Sequence, residues 1–205
     1  MLALISGLIG AALFGAAGWL GTLLSEALYG TLAPEADGPA AVAVPEWTFV
    51  AVAACIGVFI GIRAEPPAHV ALLLIAVMSL AVCAATDFRA GMIPDLFSLG
   101  ALALVLVYAA VQRDWAPLLS AVFVFVPFAA LAIFSKGRGM GWGDVKLATL
   151  GGALLGMVGI TLAVGVAAIC AFIVGRMSGR VRQPIAFGPY LAASIGAALA
   201  VGSTF

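Results

Sequence analysis

Charge is scarce in this chain: 9% of its 205 residues are Asp, Glu, Lys or Arg, against about 25% in an ordinary soluble domain. With 65% of the residues hydrophobic, too few polar side chains remain to cover a compact fold in water, which excludes a soluble protein. Nine basic and nine acidic residues cancel to zero net charge and no basic run occurs, so the electrostatic footprint of a nucleic-acid binder is missing. His69 is the single histidine, and Cys55, Cys83 and Cys170 each stand alone in an apolar run without a CxxC pair. A zinc or iron–sulfur site lacks its ligands, and no metal or cofactor is expected. The cysteines read as small buried hydrophobes, and His69, beside Pro66 and Pro67, as an interfacial loop residue. Met1 to Leu24 has no basic leading segment and an apolar stretch too long for a secretory signal, which predicts a retained span.

What the chain has in abundance is long apolar runs. Bounded by charge or proline, they fall at about 2–24, 47–62, 70–86, 96–111, 117–135, 145–157, 158–175 and 185–204. This predicts an all-α polytopic membrane protein of about eight helices, forming a single integral-membrane domain over 1–205 with an acidic loop at 25–46. Residues 145–175 fit either one long tilted helix or two. Two are preferred, because 31 residues at about 1.5 Å each overshoot a bilayer core of about 30 Å, and Gly156 to Gly159 offers a break. The sixth helix is then short, about 18 Å, and is expected to leave a water-reachable notch. Gly57xxxGly61 and Gly152xxxGly156 read as helix-packing seams. With eight spans, Arg89, Lys136, Arg138, Lys146, Arg176, Arg180 and Arg182 share one side, and only Arg63 and Arg113 the other. The positive-inside rule makes the first side cytoplasmic.

Two aspartates stand out on that side. Asp87 closes one apolar run and Asp144 opens another. An acidic group at the centre of a bilayer costs about 2.5–3.5 kcal/mol, less toward the edge, so such residues tend to be functional or paired. Arg89 and Lys146 are candidate salt-bridge partners, a purely structural alternative. The flanking residues favour function: Asp87 begins Asp-Phe-Arg-Ala-Gly-Met-Ile-Pro-Asp, and Asp144 ends Gly139-Met-Gly141-Trp-Gly143-Asp. Alternate glycines leave one backbone edge bare for an extended peptide. Neither the GxGxxG nor the phosphate-loop pattern fits them.

Asp87 to Asp95, and Gly139 to Leu147 reading GMGWGDVKL, resemble the two signature segments of the type IV prepilin peptidases, a family of GxGD aspartic intramembrane proteases. Ile185 to Leu191, with Phe187-Gly188-Pro189, is similar to a third segment of that family. The resemblance implies removal of a short basic leader from prepilins or pseudopilins, typically just after a glycine, at the cytoplasmic face of a bacterial or archaeal cytoplasmic membrane. It makes Asp87 and Asp144 the catalytic pair. Gly139, Gly141, Gly143, Ile93, Pro94, Phe187, Gly188 and Pro189 become substrate-binding or supporting residues. Lys146 is expected to meet the acidic part of a substrate or lipid headgroups. Asp95, where the family often has asparagine, is expected to cap a helix start. Long members carry a cysteine-rich segment linked to methylation of the product; only the acidic loop stands there in this chain, so peptidase activity alone is expected.

Two neighbouring carboxyls share one proton and act as acid and base on a water. Asp144, opening a helix, is expected to start as the base. Alternatives are a GxGD protease acting on other membrane or signal peptides, and a small proton- or cation-coupled transporter, which would spread ionisable residues through the membrane depth.

Overall fold

The structure, a computed structural model, describes residues 2–32, 47–63, 66–135, 140–177 and 186–202. Within a bilayer the backbone must satisfy its own hydrogen bonds, and the apolar runs do so as helices. Seven are present among the described residues: α1 (Leu2–Leu32), α2 (Trp47–Ile62), α3 (Pro67–Ala90), α4 (Asp95–Val111), α5 (Ala116–Phe134), α6 (Trp142–Met177) and α7 (Gly188–Val201). Four contain stretches long and apolar enough to cross a membrane: Ala3–Leu28, Pro67–Ala90, Ala116–Phe134 and Trp142–Met177. The other three are shorter apolar helices. Large apolar side chains on the outside, among them Leu8, Phe123, Leu162 and Phe172, are 61–70% exposed, as suits a protein solvated by lipid.

Seven helical elements stand where about eight were expected, because the sixth and seventh apolar runs are continuous as α6, but the break expected at Gly156 to Gly159 is present within it. Gly156 alone within it leaves helical geometry, at φ 70° and ψ 176°. Only glycine adopts that conformation cheaply. In a straight helix Ile160 would stand about 13 Å beyond Gly151. Instead, a Cβ on Gly151 would come within 2.5 Å of Ile160 Cδ1. The chain therefore turns back on itself at Gly156, and Trp142–Leu155 and Met157–Met177 are two arms. The first arm is not flanked by a notch: Val145 and every residue from Leu147 to Gly156 are buried.

Other boundaries move outward. The loop expected from residue 25 starts later, since α1 continues through Ser25 to Leu32. Glu26 tolerates this because its carboxylate meets Arg89 of α3 at 3.4 Å. His69 lies in the first turn of α3, not in a loop, 3% exposed, with its ring stacked on that of Tyr108. Cys83 is buried, but Cys55 and Cys170 are exposed; a small thiol on a lipid-facing surface has no reason to turn inward.

Small residues let the helices approach. A Cβ on Gly57 would collide with the carbonyl of Gly10 and stand 2.6 Å from Phe14 Cβ, and one on Gly61 would collide with the carbonyl of Ser6. The Gly57xxxGly61 spacing is thus the seam between α1 and α2. Gly152 meets Val124 of α5 in the same way, at 2.8 Å. Gly57→Leu is expected to cost about 1–3 kcal/mol through overpacking, read as a lowered thermal unfolding midpoint in detergent.

The helix ends sort into two groups. The end of α3, the starts of α6 and α7 and the Glu26 region of α1 lie together, joined by the Gly188–Asp87 bond and the Arg89–Glu26 pair. At the opposite end Arg63 donates hydrogen bonds to the carbonyl oxygens of Leu199 and Ala200, the closing turn of α7. A cation there complements the negative helix end and satisfies carbonyls that lipid could not.

Candidate active site

Asp87 lies inside the last turn of α3, where the sequence places it just past a helix. Gly91 ends that helix in the left-handed conformation, φ 64°, and its N–H bonds the Asp87 carbonyl at 2.9 Å. This cap fixes the carboxyl at the rim of the bundle, 8% exposed. The chain then passes through Ile93 and Pro94, both half-buried, into α4.

Asp144 occupies the first turn of α6 and is half-buried, while Gly141 and Trp142 beside it are exposed. Water reaches the pair from this end of the bundle. The carboxyl of Asp144 accepts a hydrogen bond from the backbone of Gly141 and feels the charge of Asp87 directly. The structure thus brings together two acids separated by 57 positions in the chain.

The third segment completes the arrangement. Gly188 opens α7 and its N–H donates to Asp87 Oδ2 at 3.0 Å. A Cβ on Gly188 would stand 2.6 Å from that oxygen, so the close approach requires glycine. Phe187 takes the N-cap position, half-buried, and Pro189 sits in the first turn, where its missing N–H has no cost. Each aspartate therefore receives one main-chain N–H from a glycine. Asp87 stands at the closing end of α3 and Asp144 at the opening of α6, the helix ends on which the expectation of Asp144 as the base rests, and Asp87 in addition meets the opening amide of α7.

Gly143 has a different task. A Cβ there would lie 2.9 Å from Ile93 Cβ, so the bare glycine lets the Ile93-Pro94 turn dock against the start of α6. Gly143→Ala is expected to lower cleavage about tenfold, with Ile93→Ala in the same chain restoring much of it; kcat and KM for the single and double variants check this. Gly141 leaves room for Asp144, whose Oδ2 would be 3.4 Å from an added Cβ. Gly139 lies outside the described residues, as do Ile185, Lys136, Arg138, Arg180 and Arg182.

The cations beside the aspartates are engaged with other acids. Arg89 reaches Glu26, and Lys146 reaches Asp95 Oδ1 at 2.5 Å. Lys146 was expected at a substrate or headgroup; it instead links the start of α6 to the start of α4. Asp95 is the first residue of α4, after Pro94 at the N-cap, and its carboxylate is the partner of Lys146. The pairing of Asp95 and Lys146, 51 positions apart, has no local sequence signal; only the docking of the two helix starts creates it. With the Asp95 side chain 64% exposed, the pair is worth at most about 1 kcal/mol. Lys146→Met is accordingly expected to slow cleavage no more than about fivefold.

Residues 72–176, more than half of the chain, match the type IV leader peptidase family. The chain belongs to that family. No curated protein and no solved structure matches it. The matched region runs from within α3 to the end of α6 and so contains both aspartates. Membership in this leader peptidase family makes the chain a protease, and its apolar helices make it a multi-pass membrane protein.

Proposed function

We propose that this leader peptidase is an aspartic endopeptidase that removes the short basic leader from prepilins or pseudopilins at the cytoplasmic face of the membrane. The observation that carries the reading is the meeting of Asp87 and Asp144 at one end of the bundle, each held by a glycine N–H. Two carboxyls this close share a proton. The ionised one takes a proton from a water whose oxygen bonds to the scissile carbonyl carbon, while the protonated one gives its proton to the carbonyl oxygen. When the tetrahedral intermediate collapses, the carbon–nitrogen bond breaks and the departing amine takes up a proton from the dyad. No covalent enzyme intermediate is required.

Orientation follows from charge. Arg89, Lys146 and Arg176 belong to the aspartate end, whereas Arg63 belongs to the other. Under the positive-inside rule the aspartate end faces the cytoplasm, where a basic leader would remain. Peptidase activity alone is proposed, without methylation of the product.

The test is hydrolysis of a panel of prepilin peptides by the purified protein in detergent, beside Asp87→Ala and Asp144→Ala. Cleavage just after a glycine by the unaltered protein and none by either variant is expected. Intact peptides throughout would overturn the reading.

A further inference from the structure

Arg63, just past the end of α2, donates to the carbonyl oxygens of Leu199 and Ala200 at the close of α7. A helix end offers about half an elementary charge, and no carboxylate among the described residues pairs with Arg63. Part of the guanidinium charge is therefore unanswered, and the group has more N–H donors than these two bonds use.

The same residue closes a groove of about 690 Å³ between α2 and α7, at the end of the bundle opposite the aspartates. Ala51, Cys55 and Phe59 on α2 and Ala197 and Val201 on α7 line it, and Arg63 is the one charged residue of that lining. Phe59 is 57% and Val201 87% exposed, so the groove opens sideways into lipid. From Ala51 to Arg63 is about 18 Å of helix, and one leaflet of a hydrocarbon core of about 30 Å is about 15 Å deep. The groove thus has the length of a single lipid tail and a cation where that lipid's headgroup would stand.

Shape and charge together select the occupant. A hydrocarbon chain alone fills the apolar length and leaves the guanidinium unanswered. A soluble anion answers the guanidinium and leaves the groove unfilled. A phospholipid does both, because its phosphate accepts charge-assisted hydrogen bonds from arginine while its tail lies along Phe59 and Cys55. A net negative headgroup matches the unanswered charge better than a zwitterionic one.

We infer that this groove binds an anionic phospholipid of the leaflet opposite the aspartates, its phosphate on Arg63 and one acyl chain between α2 and α7. The seat braces α7, whose other end carries the Gly188 bond to Asp87. The inference is independent of the peptidase reading above.

The first test leaves the protein unaltered, in phosphatidylcholine nanodiscs that contain a trace of phosphatidylglycerol with a diazirine on one acyl chain. Photoadducts concentrated on the groove residues of α2 and α7 are expected, with unlabelled phosphatidylglycerol competing about tenfold better than dioleoylglycerol, which lacks the phosphate. Adducts spread evenly over the lipid-facing helices, or equal competition by the two lipids, overturn the inference. The second test separates headgroup from tail. Arg63→Gln keeps a donor for the α7 carbonyls without the charge, and Ala197→Phe fills the groove from an exposed position. Native mass spectrometry of delipidated protein is expected to show phosphatidylglycerol affinity lowered about tenfold in each, and dioleoylglycerol affinity lowered in Ala197→Phe alone. Unchanged phosphatidylglycerol affinity in either variant overturns the site.

Discussion

Asparagine at Asp87 or at Asp144 is expected to reduce kcat for peptide cleavage by about 10³-fold or more, with little change in KM. Asparagine keeps the shape and accepts the N–H of Gly188 or Gly141, so the fold persists. What disappears is one half of a proton relay. General acid–base catalysis by a positioned group contributes about 10²–10⁴-fold, and a dyad whose members act as a unit loses most of its rate with either one. The double variant is therefore expected to fall little below the single ones. Steady-state kinetics with one leader peptide decides this. Independent, multiplying losses would show that the two carboxyls do not work on the same water. A bell-shaped pH dependence of kcat/KM in the unaltered protein, reduced to one limb or lost in each variant, would report the shared proton.

Gly188→Ala is expected to lower kcat by about 10²-fold, the scale of a misplacement near 1 Å at a reacting group. The added methyl would sit 2.6 Å from Oδ2 and 3.0 Å from Cγ of Asp87. Asp87 is short and buried, so it cannot step aside without losing the Gly188 N–H bond. Gly100→Ala provides the comparison. Nothing lies within 4 Å of a Cβ there, and alanine in a helix interior is favoured over glycine by about 0.5–1 kcal/mol, so that variant is expected to keep its activity and unfold at no lower temperature. Equal activity of the Gly188→Ala and unaltered proteins would show that the Gly188–Asp87 contact does not position the carboxyl.

The segments that meet in the site were readable in advance for a specific reason. Glycines at 141, 143 and 188 are each flanked by the acid, proline or aromatic residue that makes their bareness meaningful, and together they resemble one family's pattern in order and spacing. The tasks of these glycines were not readable. Gly143 makes room for Ile93, and Gly188 for the carboxyl of Asp87. A charge interrupting an apolar run predicts a loop at Glu26, yet a charge at the membrane boundary that meets Arg89 lets α1 continue. The prolines beside His69 predict a loop there, but proline is tolerated in a helix's first turn.

By itself the sequence determined that this protein is a helical membrane protein, and it marked Asp87 and Asp144, because composition, run length and local motifs are properties of contiguous residues. The tertiary structure alone decided that α6 turns back at Gly156 and so returns the chain toward the aspartate end, where Gly188 reaches Asp87. It likewise decided that Lys146 joins Asp95 and that an apolar cleft lies between α2, α3 and α7. Each of these depends on side chains distant in sequence filling or leaving space beside one another, and in a bilayer that close packing, not the hydrophobic effect, determines which helices meet.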